Sequence, residues 1–485
     1  MKSPFLRLQD IVFLTVFISA LASGAQMLSI DSDLGRHLTL GDYILENRTV
    51  PTHDLFSHTL AGESRPPYEW LSQILFATAH HLLGLDGVIL LTAVMISVTI
   101  TAVFYQSVRS SHSPLIALLV TLLVAAATSL HWLPRPHIVT FLLFAIWVNL
   151  LERIQKNKAA PIFLFPLLML LWANLHGGFI FGILALAAYI AGWLWDKWRS
   201  QAPNEIGKNY LLIALSSLGA SIITPDLWRN WEAVLNNRSA FILSRTVETM
   251  PPNLTDASTA PFLVLFLLVV FFGFINKHYV SASQVLLLSG LGLIALLVTR
   301  NIPLFAIACA PFLAEWIVTK ASLAPAWKVL DARFASLYVQ NRTLAFPLMV
   351  VIFATILFAH RYSDNKQTYQ FNSEVFPVHA ANWLEENPVE GNMFNEFNWG
   401  GYLLYRSWPR DLVFVDSQSD FYGEPLLRDY ETILLTRGSW RDLLHHYHID
   451  WVIVSPQTPL AIQLKRDNQW MTVYQDPVAI ILQQK

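Results

Sequence analysis

Eight stretches of this chain, 87–106, 114–130, 138–151, 178–195, 210–224, 260–275, 283–299 and 344–359, contain no aspartate, glutamate, lysine, arginine or histidine. Most approach the roughly 20 apolar residues a helix needs to cross a ~30 Å hydrocarbon layer. In lipid every backbone polar group must be satisfied internally, and for segments of this length that leaves the α-helix. Only 14% of the 485 residues are charged and 54% are hydrophobic, where a soluble protein would carry about a quarter charged. The sequence reads as a polytopic α-helical membrane protein.

About eleven spans are expected, near 9–30, 87–107, 114–130, 138–151, 161–176, 178–195, 210–225, 260–275, 283–299, 302–318 and 344–360. Lys2 and Arg7 precede the first apolar run, which continues through Ile30, so an uncleaved first span is expected rather than a signal peptide. With the N-terminus inside, the inner loops hold Arg109; Arg153, Lys156 and Lys158; Lys197, Arg199 and Lys208; Lys277; and Lys320, Lys328, Arg333 and Arg342. The short outer loops hold little beyond Arg135 and Arg300. That asymmetry is the positive-inside pattern, and an odd number of spans places the C-terminus outside.

Two segments stand apart from the spans. Residues 362–485 are polar, with apolar runs LVFVD (412–416), WVIVS (451–455) and AIILQQ (479–484) between helix-like stretches at 377–387 and 439–448, the latter with Ser439 as a candidate N-cap. They predict a small extracytoplasmic α/β domain following a transmembrane domain over 1–361. The outer loop 31–86 contains PPYEWLSQILFATAHHLLG, which predicts an amphipathic surface helix over 67–83 with Leu71, Ile74, Leu75, Thr78 and Leu82 on one face.

The titratable residues gather at one rim. The outer ends of the spans carry Asp31, Asp33, Arg36 and His37 in DSDLGRH; His131, Arg135 and His137 in HWLPRPH; His176 in NLHGGF; Asp226; and Arg300 in TRNIP. The middles of the spans carry none, Asp10 and Glu315 lying toward inner ends, which disfavours a transporter, whose coupling residues usually lie near the midplane. Singly, each such residue is more often an interfacial anchor than a ligand. Several short hairpins presenting His, Arg and Asp to one side argue for a shared, wet site. The net charge of −2 offers nothing to nucleic acid, and the single Cys309 in an apolar run reads as a small buried hydrophobe. The triplets at 47–49, 237–239 and 253–255 fit glycosylation sequons but are expected by chance.

The strings DSDLGRHL, GDYIL, PTHDLFSHT and YEWL after the first span, WANLHGGF (172–179), RNIPLFA (300–306), FNEFNWGGYLLY (394–405) and VFVDSQSDFYG (413–423) together resemble the GT-C superfamily of polytopic glycosyltransferases. The resemblance touches most of the chain and is strongest to a bacterial subgroup, with protein mannosyltransferases, lipid A aminoarabinose transferases and oligosaccharyltransferase catalytic subunits as relatives. NWGGYL is distantly similar to the acceptor motif WWDxG of the last group but lacks its aspartate.

The resemblance implies a bacterial inner-membrane enzyme that inverts the anomeric carbon of a polyprenyl-phosphate-linked sugar by direct displacement. The acceptor would be a glycan, lipid or protein. A carboxylate general base is required, and Asp31 or Asp33 is the candidate, with Glu69 a third whose plainer reading is a first-turn helix residue. Arg135 and Arg300 suit the leaving phosphate, because guanidinium grips phosphate oxygens in a fork. Arg36, His37, His137, His176 and Asn301 complete the substrate-binding set. Asp416 and Asp420 are expected to meet the acceptor, or to be turn-forming acids. A divalent metal, Mg²⁺ or Mn²⁺, at Asp31 and Asp33 would suit oxygen ligands. The competing readings are a non-catalytic scaffold or binding subunit with the same fold and, less well supported, a lipid-linked saccharide transporter.

Overall fold

A computed structural model describes residues 7–199, 203–235, 240–243, 247–321, 325–338 and 345–485. Lys2, Arg342 and the triplet at 237–239 lie outside the described residues.

Among the described residues seven helices are long and apolar enough to cross a membrane, and eight if Leu8–Ala22 and Gly24–Ile30, bent by 51°, form one span. The remaining three expected spans coincide with Leu164–Leu175 and Ala282–Leu297, which are apolar but short, and with Asn204–Ser221, whose first turns carry Asn204, Glu205 and Lys208. Long runs of Leu, Ile, Val and Phe without internal caps explain why each helix persists, and Cys309 is fully buried among them.

The expected surface helix and the second span form one 42-residue helix, Trp70–Ser111. A break at Gly84, with φ +62°, separates the two parts, and a side chain there would strain the backbone. In the first part the expected apolar face, Leu75 and Leu82 above all, is exposed, while Ser72, Gln73, Phe76 and Ala77 are buried. This part of the helix therefore faces the protein with a mixed side of Ser72, Gln73, Phe76 and Ala77 and turns Leu75 and Leu82 outward.

Helix Leu34–Asn47 lies between Trp70–Ser111 and the short helix Gly400–Ser407. The contact with the latter is backbone against backbone: a Cβ on Gly35 would come within 2.1 Å of the Gly401 carbonyl oxygen. Only glycine permits that approach, which ties the start of the chain to its last quarter.

The C-terminal region contains a four-stranded sheet in the order β1 (Asn392–Asn395), β2 (Ile449–Val454), β4 (Ile480–Gln484), β3 (Trp470–Gln475), with β1 and β2 parallel and the other pairs antiparallel. The runs at 451–455 and 479–484 supply β2 and β4. The run at 412–416 does not form a strand of this sheet. It is extended and bridges Ser57, with hydrogen bonds from Val413 N to the Phe56 carbonyl and from His58 N to the Val413 carbonyl. The Asn395 side chain bonds the backbone of Phe414 and Val415 as well, so loop and side chain replace a ladder. Helices Val378–Glu386 and Trp440–His446 match the expected stretches, although Ser439 makes no side-chain cap bond.

Candidate functional site

Asp31 ends the bent first helix pair, and its Oδ1 accepts from Asp33 N (2.8 Å) and Leu34 N (3.2 Å), which starts helix Leu34–Asn47. The same oxygen accepts from Arg135 Nε at 2.8 Å, while Oδ2, buried, has no hydrogen-bond partner among the described residues. Burial raises the Asp31 carboxyl from 3.8 to about 6 against the pull of Arg135. Asp33 faces the opposite balance. Burial would raise it, but Arg135 and Arg36 outweigh that and hold it well below the ordinary carboxylate range. Its Oδ2 lies 3.0 Å from Arg135 Nη1, its Oδ1 3.7 Å from Arg36 Nη2, and the Ser417 hydroxyl donates to Oδ1.

Arg135 sits in Leu133-Pro134-Arg135-Pro136, where two prolines restrict the hairpin between helices. Its Nη1 also reaches Glu248 Oε1 at 3.0 Å. Glu248 was invisible in the sequence because its segment resembles no motif and lies beyond a span end. The turn Thr299–Asn301 is tied to the same segment, because Thr299 N and Oγ1 both donate to the Met250 carbonyl. That attachment brings Arg300 to the cluster. Arg300 is exposed and makes no hydrogen bond or ion pair among the described residues, yet its charge acts on Glu69 and Asp420. Asn301 is buried beside it, and its side chain makes no hydrogen bond among the described residues.

Glu69 immediately precedes helix Trp70–Ser111, where the helix dipole favours an acid, and makes no side-chain cap bond. It points between two imidazoles, 4.0 Å from His37 Nδ1 and 3.6 Å from His176 Nε2. Burial pushes it up to about 7, with Arg36 opposing. The orientation of His176 is set by Thr140 Oγ1 (2.8 Å) and Gly178 N (3.0 Å) at Nδ1. A backbone N–H can only donate, so Nδ1 accepts and the proton sits on Nε2, facing Glu69. His37 is held by Gln73 Nε2 (3.3 Å) and Arg36 Nη2 (3.5 Å), and burial beside Arg36 pushes it well below the ordinary histidine value.

His137, Asp416 and Asp420 have further partners of their own. His137 Nε2 donates to the His131 carbonyl at 2.8 Å and closes its own hairpin. Asp416 is fully buried, its Oδ2 2.8 Å from Arg65 Nη2 and its Oδ1 accepting from Gln418 N. Arg65 also binds Asp54 and stacks 4.5 Å from the Phe421 ring centroid. Asp416 thus anchors the 412–418 segment to loop 51–68, and its Oδ1 also lies 3.9 Å from Arg36 Nε at the edge of the cluster. Asp420 accepts from the Tyr68 hydroxyl at 3.3 Å, and burial raises its carboxyl. Arg65, Asp54, Ser417 and Tyr68 were not singled out by spacing. Beside the cluster lies a small open cleft lined by Arg36, Glu69, Gln73, Tyr68, Pro67 and Gln418 among others.

A divalent metal was expected at Asp31 and Asp33. Among the described residues no group of three or more His, Cys, Asp or Glu side chains is arranged to hold one. Arg135 lies between both carboxylates and Glu248, and as they stand these residues do not fit a metal ion.

No family model and no curated protein matches the sequence. The structure superposes on the oligosaccharyltransferase of Archaeoglobus fulgidus over 91% of this chain and 69% of that one, at 12% identity. The TM-score is 0.59 for the apo form, 0.62 for the complex with an inhibitory peptide and a dolichol-phosphate, and 0.58 for the form tethered to an acceptor peptide. A likeness at that identity speaks for the fold: this chain shares the fold of the archaeal oligosaccharyltransferase.

Proposed function

We propose that the chain is a membrane glycosyltransferase that moves a sugar from a polyprenyl-phosphate donor to an acceptor hydroxyl at the outer face, inverting the anomeric carbon. The observation that carries this reading is one cluster in which, among the described residues, a buried carboxylate oxygen, Asp31 Oδ2, has no hydrogen-bond partner and the guanidinium of Arg300, whose charge acts on Glu69, makes no hydrogen bond or ion pair. The neighbour's complex with a dolichol-phosphate supports a lipid-phosphate donor for this chain too.

In the reaction the acceptor oxygen attacks C1 of the donor sugar and the C1–O bond to phosphate breaks. The hydroxyl proton passes to Asp31, whose raised value suits a base working near neutrality. The departing phosphate gains charge, which Arg300 offsets; one well-placed donor of this kind contributes about 3 kcal/mol. Glu69, between the imidazoles of His37 and His176, is placed to hold sugar hydroxyls or to share the proton. Asp33 is a poorer base, because both of its oxygens are already paired. The region from 362 onward forms the outer domain and closes the site through Ser417 and Asp420.

The test uses purified protein in lipid with a panel of radiolabelled polyprenyl-phosphate sugars and candidate acceptors, following release of lipid phosphate. Release by the wild type, lost in folded Asp31→Asn and Arg300→Ala variants, supports the reading. Release that survives both substitutions places the active site elsewhere. Donor binding without release under every acceptor favours a scaffold.

A further inference from the structure

We infer that Arg135 is a built-in cation: its guanidinium takes the place between Asp31, Asp33 and Glu248 that a divalent metal would occupy in an acidic site, so that the transfer proceeds without a bound metal. The inference rests on the transfer reading above and adds to it the identity of the site's counter-charge.

Three carboxylates converge on one guanidinium at 2.8, 3.0 and 3.0 Å. Two of them, Asp31 and Asp33, have side chains only 0% and 17% exposed, and paired buried carboxylates without a cation would be strongly unfavourable. A hard divalent ion would require oxygens to close to roughly 2.0–2.4 Å around a point. A planar guanidinium instead keeps them apart in its own fork geometry, through Nε and Nη1. Nη2 makes no hydrogen bond among the described residues, which leaves Arg135 a donor to offer a ligand after its carboxylates are satisfied.

The placement is built in. The prolines on either side restrict the backbone, and Arg135 N donates to the Leu133 carbonyl at 2.8 Å, so the side chain is presented from a stiff hairpin. Unlike a metal, this cation cannot be chelated or exchanged. Arg135 acts on the reaction through Asp31, whose Oδ1 it fixes while Oδ2 has no partner among the described residues, and so it is a positioning residue.

The protein in lipid nanodiscs is titrated with Mn²⁺ and read by electron paramagnetic resonance, and lipid-phosphate release is measured with and without EDTA. The expected result is no saturable Mn²⁺ signal in the wild type and release unchanged by EDTA. Arg135→Ala should lose about 100-fold in release, with partial recovery on added methylguanidinium and a smaller loss in Arg135→Lys. A saturable Mn²⁺ signal that disappears in Glu248→Gln, or release that EDTA abolishes and Mn²⁺ restores, overturns the inference. If Arg135→Ala does not fold, the wild-type Mn²⁺ and EDTA measurements decide alone. If no donor gives release, the transfer reading fails, while the Mn²⁺ spectrum still judges the counter-charge.

Discussion

Asp31→Asn should make this protein more stable and inactive at once. The asparagine's Oδ1 can still accept from Asp33 N and Leu34 N, so the start of helix Leu34–Asn47 is kept. What disappears is a buried charge. Burial raises the Asp31 carboxyl from 3.8 to about 6 even with Arg135 against it, which means the fold prefers the neutral form. At about 1.36 kcal/mol per tenfold, that preference is worth roughly 3 kcal/mol at pH 7. The sign follows from linkage. A carboxyl whose folded value is raised stabilises the fold at low pH, and that contribution is lost as pH climbs from about 4 to about 6. The amide keeps it at every pH, so Asp31→Asn should unfold at a higher temperature than the wild type at pH 7, with the difference closing near pH 4. Lipid-phosphate release should fall by 10²–10⁴-fold, the usual contribution of a general base. Thermal unfolding in one detergent across pH 4–8, beside the release assay, reads both. A lower unfolding temperature at pH 7 would mean Asp31 serves the fold as an ion-pair anchor, and undiminished release would remove it from the chemistry.

Arg300→Ala should cost about 100-fold in release with little change in unfolding temperature, because its guanidinium makes no ion pair among the described residues to lose. Arg65→Ala should destabilise by about 3–5 kcal/mol, since it strands the buried Asp54 and Asp416, and adding Asp416→Asn should recover part of that in a double-mutant cycle. Gly35→Ala should cost about 1–3 kcal/mol, and release with it, by driving a methyl into the Gly401 carbonyl; denaturation curves of the two proteins check it. For Glu69, raised by burial to about 7, stability should decline as pH rises from 4.5 to about 7, and Glu69→Gln should flatten that slope in unfolding scans.

Much of the helical body was legible because lipid imposes a composition that sequence displays directly. The rim cluster was legible for a related reason: a charge near a span end has few places to go, so Asp31, Asp33, Arg36, His37, His176 and Arg135 could be set on one side together. What could not be read was pairing across distance. Arg65 and Asp416 are 351 positions apart, and neither carries a local pattern that names the other. Glu248 follows no periodic segment. Glu69 reads as a first-turn acid because helix starts favour acids, and its approach to His37 and His176 is visible only in the fold. The run at 412–416 has a strand's composition, yet its partner is the 56–58 loop, which no alternation announces. Three expected spans correspond to helices that are short, Leu164–Leu175 and Ala282–Leu297, or begin in polar turns, Asn204–Ser221, a matter of helix ends that periodicity fixes poorly.

The contact between Ser417 and Asp33 joins residues 384 positions apart, and Gly35 and Gly401 close the same seam. A ribosome adding about 5–20 residues per second takes roughly 20–80 s to cover that interval. Through that time Asp31 and Asp33 have already emerged, while Ser417, Asp416 and Asp420 have not been made. The growing chain therefore holds its acids without their last partners until synthesis is nearly finished, and a product cut short before residue 400 would carry the charged rim but never the closed site.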